Sequence, residues 1–353
     1  MDFASFLIQL LNSVQYGLLL FMLAAGLTLI FGIMGVVNLA HGSFYMLGAY
    51  VAWWLSSLTG SLTLAILGGA VLGIGFGLLL ERLLFRHLYQ RDHLDQVLLT
   101  FGLIYIFEEL RSIVWGDDVH GVRIPDLLSA SIPLTDNLSY PVYRLFMSGV
   151  CIALALGLYL LISKTRLGMK IRAGAFNRDM AEALGVNIRL IHAVVFALGV
   201  GLATVAGMIA APIASVYPNM GSQVLIMSFV VVVIGGIGSV RGALIAALLV
   251  GLVDTFGKVL LPQVSGMLVY MLMAAVLLWK PRRPVQTIKM TPTLVTTCTA
   301  RSLAGRGSRD ASPLSPVRMC VSTFGAAGSS PSGAFVALGR PGGDSPPHPR
   351  TSS

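Results

Sequence analysis

Charge is scarce in this chain. Asp, Glu, Lys and Arg make up 11% of its 353 residues, under half of the roughly 25% usual in soluble domains. A water-soluble globular protein is therefore excluded. Cysteine is scarce too: Cys151, Cys298 and Cys320 stand far apart, with no C-x-x-C spacing and no Cys/His cluster. That excludes a disulfide scaffold and a zinc site, and Cys151 reads as apolar filler. There is no G-x-x-x-x-G-K-[ST] phosphate loop, no H-E-x-x-H, no G-x-S-x-G and no pair of carboxylates in a polar pocket. The chain is not read as an enzyme, no metal or cofactor is expected on it, and any ATP that drives it is bound elsewhere. Met1–Gln9 lacks a basic region and no cleavage site of small residues follows, so the first apolar segment is expected to stay.

The net charge of +9 divides unevenly. Residues from Pro284 onward carry +5 and Met1–Arg283 carries +4, so much of the excess is a tail property, with no case for nucleic-acid binding. That tail is dense in Pro, Ser, Gly, Thr and Arg without a sustained period, and cannot bury enough surface to fold. We read 1–283 as one transmembrane domain and 284–353 as a low-complexity, disordered appendage, of the kind a reading-frame shift would produce.

What the chain does have is length of apolar sequence. Hydrophobic residues make up 56%, and mean hydropathy is +0.82. Runs of about 20 apolar residues recur, and only helices satisfy their own backbone in lipid without closing a barrel. The fold class is an all-α polytopic integral membrane protein of about eight to ten transmembrane helices, some broken or short. Candidate spans lie near 6–37, 43–58, 62–80, 96–115, 142–163, 191–212, 223–238, 242–257 and 264–279. Lys and Arg gather in the loops 81–95 and 164–190, at Arg241 and at Lys280, Arg282 and Arg283, which the positive-inside rule places in the cytoplasm. The loop 116–141, with Asp117, Asp118, Asp126 and Asp136, belongs outside. This parity puts the amino terminus outside if every run crosses. Glu108 with Arg111, and Asp254 with Lys258, read as interfacial ion pairs near outer ends. A gradient-driven carrier is expected to hold more charge near the midplane.

Two junctions are alike. Gly32-Ile-Met-Gly35 precedes Asn38-Leu-Ala-His41-Gly42, and Gly235-Gly236-Ile-Gly238 precedes Arg241-Gly242. Paired interruptions of this sort point to broken helices at a transport site; close packing through small residues is the alternative. Asn38 and His41 share a helical face.

The segment Lys164–Leu190 is a basic island between apolar runs. It opens as a loop, then reads as a short helix. Asn177 is the N-cap, Asp179 lies in the first turn, Met180, Ala181, Ala183 and Leu184 recur at helical spacing, and Gly185 is the C-cap. So short a helix needs a partner surface. A cytoplasmic protein and the lipid interface both satisfy that need.

The motifs Arg172-Ala173-Gly174-Ala175-Phe176-Asn177 and Ala181-Glu182-Ala183-Leu184-Gly185-Val186 closely resemble the cytoplasmic loop of bacterial ABC importer permeases for branched-chain amino acids, the LivH type. The resemblance extends to Gly26–Tyr50, Leu98–Gly102 and Gly235–Ala243, and covers most of Met1–Pro281. It implies a multi-pass subunit of the bacterial inner membrane with four kinds of neighbour: two ATP-binding ATPase subunits, a second homologous permease, a periplasmic substrate-binding protein and membrane lipid. It implies that Arg172, Asn177, Ala181, Glu182, Ala183, Leu184 and Gly185 couple to an ATPase. It also places Gly32, Gly35, Asn38, His41, Gly42, Thr100, Gly102, Gly235, Gly236, Gly238 and Gly242 along the translocation path. Urea and short-amide importers use permeases of the same broad family, so the motifs do not fix the solute. Relatives end soon after a pair like Lys280-Pro281, which Arg282–Val285 does not match.

Overall fold

The computed structural model describes residues 3–89, 91–135, 138–279, 321–322 and 335–336. The chain divides into two units, Met1–Pro281 and Arg282–Ser353. In the second, the two-residue strands Val321–Ser322 and Phe335–Val336 pair antiparallel. Cys298, Cys320, Lys280, Arg282, Arg283 and most of the tail read as disordered lie outside the described residues.

The first unit is a helical membrane bundle. Its apolar helices are α1 (Phe3–Met34), α2 (His41–Thr59), α3 (Leu62–Leu80), α5 (His93–Trp115), α6 (Val142–Lys164), α9 (Ile188–Ala214), α10 (Met220–Gly235), α11 (Val240–Leu260) and α12 (Ser265–Trp279). Among the described residues, these nine helices overlie the nine apolar runs. Five segments, containing α1, α3, α6, α9 and α11, are long and apolar enough to cross a membrane by length and composition, whereas α10 and α12 are shorter.

Three sequence readings need correction. The basic segment 81–95 is not all loop: α3 runs on through a π-turn (Glu81–Phe85) into α4 (Arg86–Leu88), because no Gly or Pro interrupts Leu78–Leu88. Lys164–Arg172 is not a loop either, but lies largely within the helix α7 (Arg166–Phe176). Its buried face is Gly168, Ile171 and Gly174, so glycines hold two of the three inward positions and leave no apolar period to read. The outer segment 116–141 is not featureless: it carries a 3-10 turn at Asp126–Leu128 and a hairpin of β1 (Ser131–Thr135) and β2 (Leu138–Pro141).

Helices α1 and α9 form the axis of the bundle, and α1 is flanked by α6, α9, α10 and α11. Leu20, Leu23, Ala24, Ala25 and Ile30 of α1 are fully buried, as are Phe196, Val200, Ala203 and Ala206 of α9. The two helices meet at Gly26 and Gly199, where a β-carbon on Gly26 would lie 2.7 Å from the Gly199 carbonyl oxygen. Backbones come that close only where side chains are absent, which maximises dispersion contact in a setting without a hydrophobic drive.

The second half repeats the first in the opposite direction. Each half has a long buried helix (α1, α9), a short non-helical segment (35–40, 215–219) and a second helix opening on Gly-Ser (Gly42-Ser43 in α2, Gly221-Ser222 in α10). The packing repeats as well: α11 lies on α1 as α3 lies on α9. The basic ends share one side of the bundle. Tyr89 meets His192 with ring centroids 4.7 Å apart, and the α10–α11 turn touches the end of α1 at Gly32 and Gly238. His120 pairs with Val216 by two backbone bonds of 2.8 Å at the other side, beside the acidic loop.

Candidate functional site: a paired helix break and a short helix on the basic side

The break after α1 is built from Gly35 and Asn38. Gly35 turns the chain at φ 69° and its N–H donates to Phe31 O, closing the helix. Asn38 Oδ1 then accepts from Ala40 N at 3.1 Å, and α2 begins at His41. His41 Nε2 lies 3.1 Å from Leu23 O, a carbonyl well inside α1, so the α2 amino terminus starts within the bundle. It faces the amino terminus of α10, where a β-carbon on Gly221 would sit 2.5 Å from Gly42 O. The sequence pairing of junctions thus has a structural counterpart, but the partner of the α1–α2 break is 215–219 rather than 236–239. The latter is a tight turn, shaped by Gly236 at φ 88° and Gly238 at φ 81°.

Asn38, His41, Gly42 and Thr100 gather at the break. Thr100 Oγ1 reaches Val97 O at 3.0 Å and Val37 O at 3.5 Å. Asn38, His41 and Thr100 are all fully buried, and Asn38 Nδ2 and His41 Nδ1 have no partner among the described residues. Unsatisfied buried polar atoms cost roughly 1–3 kcal/mol each, so this is a costly arrangement that packing alone does not require. Gly32, Gly35 and Gly238 lie together at the carboxyl end of α1, and Gly235 packs on Gly242 across the α10–α11 turn. Gly236 shapes that turn. Gly102 stands apart on α5, with open space where a side chain would go.

The charged pairs are not surface decoration. Arg111 is only 4% exposed and holds Glu108 at 3.6 Å, Asp117 at 2.9 Å and Gly116 O at 2.6 Å. Asp254 is buried beneath the largely exposed Lys258, 2.6 Å away. The pairings are as read; one member of each pair is buried against the protein while a partner, Asp117 or Lys258, stays exposed. Hydrogen bonds from Arg111 and Ser112 hold the exposed Asp117 carboxyl below its ordinary 3.8. A lowered pKa means the contact is present above the ordinary carboxylate value and is lost as pH falls through the depressed one. Asp117→Asn at neutral pH therefore reproduces the acid state, and protease nicking of the 116–125 loop is expected to rise only in the variant.

On the basic side of the bundle, α7 folds back on α6. Thr165 Oγ1 caps it by accepting from Gly168 N, and Arg172 donates to Ile162 O of α6 rather than facing the next helix. That next helix, α8 (Arg178–Ala183), is closed at both ends as its sequence predicts. Asn177 Oδ1 accepts from Met180 N at 3.0 Å. Gly185 adopts φ 81°, its N–H donating to Glu182 O while Val186 N donates to Ala181 O, the Schellman pattern. Ala181 packs inward, whereas Glu182, Ala183 and Leu184 face out. Phe176 is 95% exposed, Leu184 77% and Met180 63%, an apolar patch on the polar side of the bundle.

One residue unites the two features. Arg178, the first residue of α8, donates through Nη2 to Ile33 O at 2.8 Å, capping the carboxyl end of α1 immediately before Gly35. Composition and spacing mark Arg178 only as one more loop cation. Its partner lies 145 positions away, and no local pattern reveals that.

Comparison with known proteins agrees with this architecture. The family described as "Branched-chain amino acid transport system / permease component" matches residues 9–277. The high-affinity branched-chain amino acid transport system permease protein BraD of Pseudomonas aeruginosa is 30% identical over 78% of this chain and 94% of its own length. LivH of Escherichia coli K12 is 28% identical, with coverage of 79% and 95%. A probable branched-chain amino acid transport permease protein, LivH of Methanocaldococcus jannaschii, is 29% identical, with coverage of 73% and 84%. The match spans every apolar helix of the bundle, and the chain belongs to the family of branched-chain amino acid transport system permease components.

Proposed function

We propose that this chain is a transmembrane permease subunit of an ATP-driven importer of branched-chain or other hydrophobic amino acids, in a bacterial inner membrane. Its partners are two ATPase subunits that bind and hydrolyse ATP, a second homologous permease and a periplasmic substrate-binding protein. One observation carries the reading: the α7–α8 corner leaves Phe176, Met180 and Leu184 exposed, from the end of α7 to just past α8, while Arg178 ties α8 to the end of α1. An apolar patch around a six-residue helix is stable only against a partner, and the Arg178 bond supplies a mechanical route inward. When the ATPases close or open, α8 moves with them. The pull reaches Ile33, then the Gly35–Ala40 break, where α2 meets α10. The partner need only bind two states of the permease unequally to shift their balance.

Reconstitution of the full chain with its ATPase pair, second permease and binding protein tests this. ATP-dependent leucine uptake is expected, and Arg178→Ala is expected to lower it several-fold while the ATPases stay bound. Uptake driven by an ion gradient through the lone chain, with no ATPase co-purifying, is the outcome that overturns it.

A further inference from the structure

A trench of about 610 Å³ runs along the outside of the bundle over α1, between α6 and the start of α11. Its floor is Leu18 and Phe21 of α1. Leu156 and Tyr159 of α6 and Leu244 of α11 form its walls. It opens toward the bilayer, with Ile152 at 53% and Leu156 at 56% exposure on its lip. Along α6 it extends from Ile152 to Ser163, a rise of about 16 Å. That is close to half of the roughly 30 Å hydrocarbon core, the depth of one leaflet.

Its cytoplasmic end is of opposite character. Arg172 and Arg241 stand there with Ser163 and Ser239, and no carboxylate lines the trench among the described residues. The Arg241 guanidinium lies 5.7 Å above the Tyr159 ring, which fixes its plane and leaves its edge donors free. Arg172 is anchored through one nitrogen to Ile162 O and retains others. The amino terminus of α11, capped by Ser239 Oγ accepting from Gly242 N, adds unpaired backbone N–H groups at the same place. We infer that this trench is a binding site for an anionic phospholipid of the cytoplasmic leaflet, with an acyl chain over Leu18 and Phe21 and the phosphate between Arg172 and Arg241. An apolar slot one leaflet deep, ending in two fixed guanidiniums, matches a lipid in length and in charge, and basic recesses between helices on this side are a general mode of lipid recognition.

Native mass spectrometry of the delipidated full chain, titrated with phosphatidylglycerol or phosphatidylcholine of the same acyl chains, tests it. Phosphatidylglycerol is expected to bind at least about five-fold better per arginine engaged. Arg241→Ala is expected to remove most of that preference, and Arg241→Lys to keep part of it. Leu156→Trp, at an exposed position that folding does not depend on, fills the slot and is expected to reduce occupancy by both lipids. Equal binding of the two lipids, a preference unchanged in Arg241→Ala, or an occupancy unchanged in Leu156→Trp overturns the inference. So does inorganic phosphate competing as well as the whole lipid, which would mark a polar anion site. A Leu156→Cys disulfide to a second permease in membranes, with no lipid adduct, would give the trench to a protein and overturn it too.

Discussion

Gly185→Pro is expected to reduce ATP-driven uptake by at least about tenfold while leaving membrane insertion intact. Three separate interactions fail at once. Gly185 sits at φ 81°, and proline is locked near −65°. Its N–H donates to Glu182 O, and proline has none. Leu184 holds φ −81° and ψ 9°, a conformation disfavoured before proline. The cost is about 3 kcal/mol or more, close to a hundredfold in population, against a helix of six residues with little stability of its own. Nothing lies within 4 Å of a β-carbon at this position, so the damage stays in α8. Gly185→Asn, which tolerates the left-handed conformation, is expected to retain most uptake. Wild-type rates in the proline variant, with ATPases bound at normal stoichiometry, would remove α8 from the coupling route. Ala183→Arg, on the outward face, is expected to act through the docking surface without melting the helix.

Gly42→Val is expected to destabilise the permease most among single substitutions at the break. A β-carbon there would meet the backbone of Gly221 and the β-carbon of Leu225. The nearest obstacle is a main-chain carbonyl of the opposing helix, which cannot rotate away as a side chain can. Overpacking of well-filled sites costs about 1–3 kcal/mol and occasionally more, and here relief requires that α2 and α10 separate. The thermal midpoint of the purified protein is expected to fall by several degrees. Gly75→Ala on α3, with open space around it, serves as the contrast and is expected to be neutral or slightly stabilising. Equal behaviour of the two would show that the α2–α10 contact is not tight.

Much of this was legible in the residues, for identifiable reasons. The nine runs became nine helices because an apolar stretch in lipid has one way to satisfy its backbone. The ends of α8 were legible because Asn177 and Gly185 act locally, within four residues. Gly168 and Gly174 hid α7, since an inward glycine contributes close approach rather than an apolar signal. The pairing of α2 with α10 was hidden similarly: Gly42 and Gly221 signal flexibility in sequence, yet here they serve contact. Arg178 resembled its cationic neighbours until its distant acceptor was seen. Burial of Arg111 and Asp254 was missed because spacing reveals a partner on the same helix, not what covers the pair.

The central position of α1 bears on how the chain is made. Helices emerge from the ribosome in order, yet α1 finds its neighbours α9 and α11 only after another 150 residues or more have been synthesised. Until then Thr28, buried in the finished bundle, must face lipid or be sheltered by an insertion factor, whereas Gln15 already has Met147 of α6 as a partner. Chains arrested before α9 is complete hold an α1 that α6 covers on one side only and should be preferred substrates for membrane proteases. Assembly of this permease is thus a closing of later helices around an earlier one.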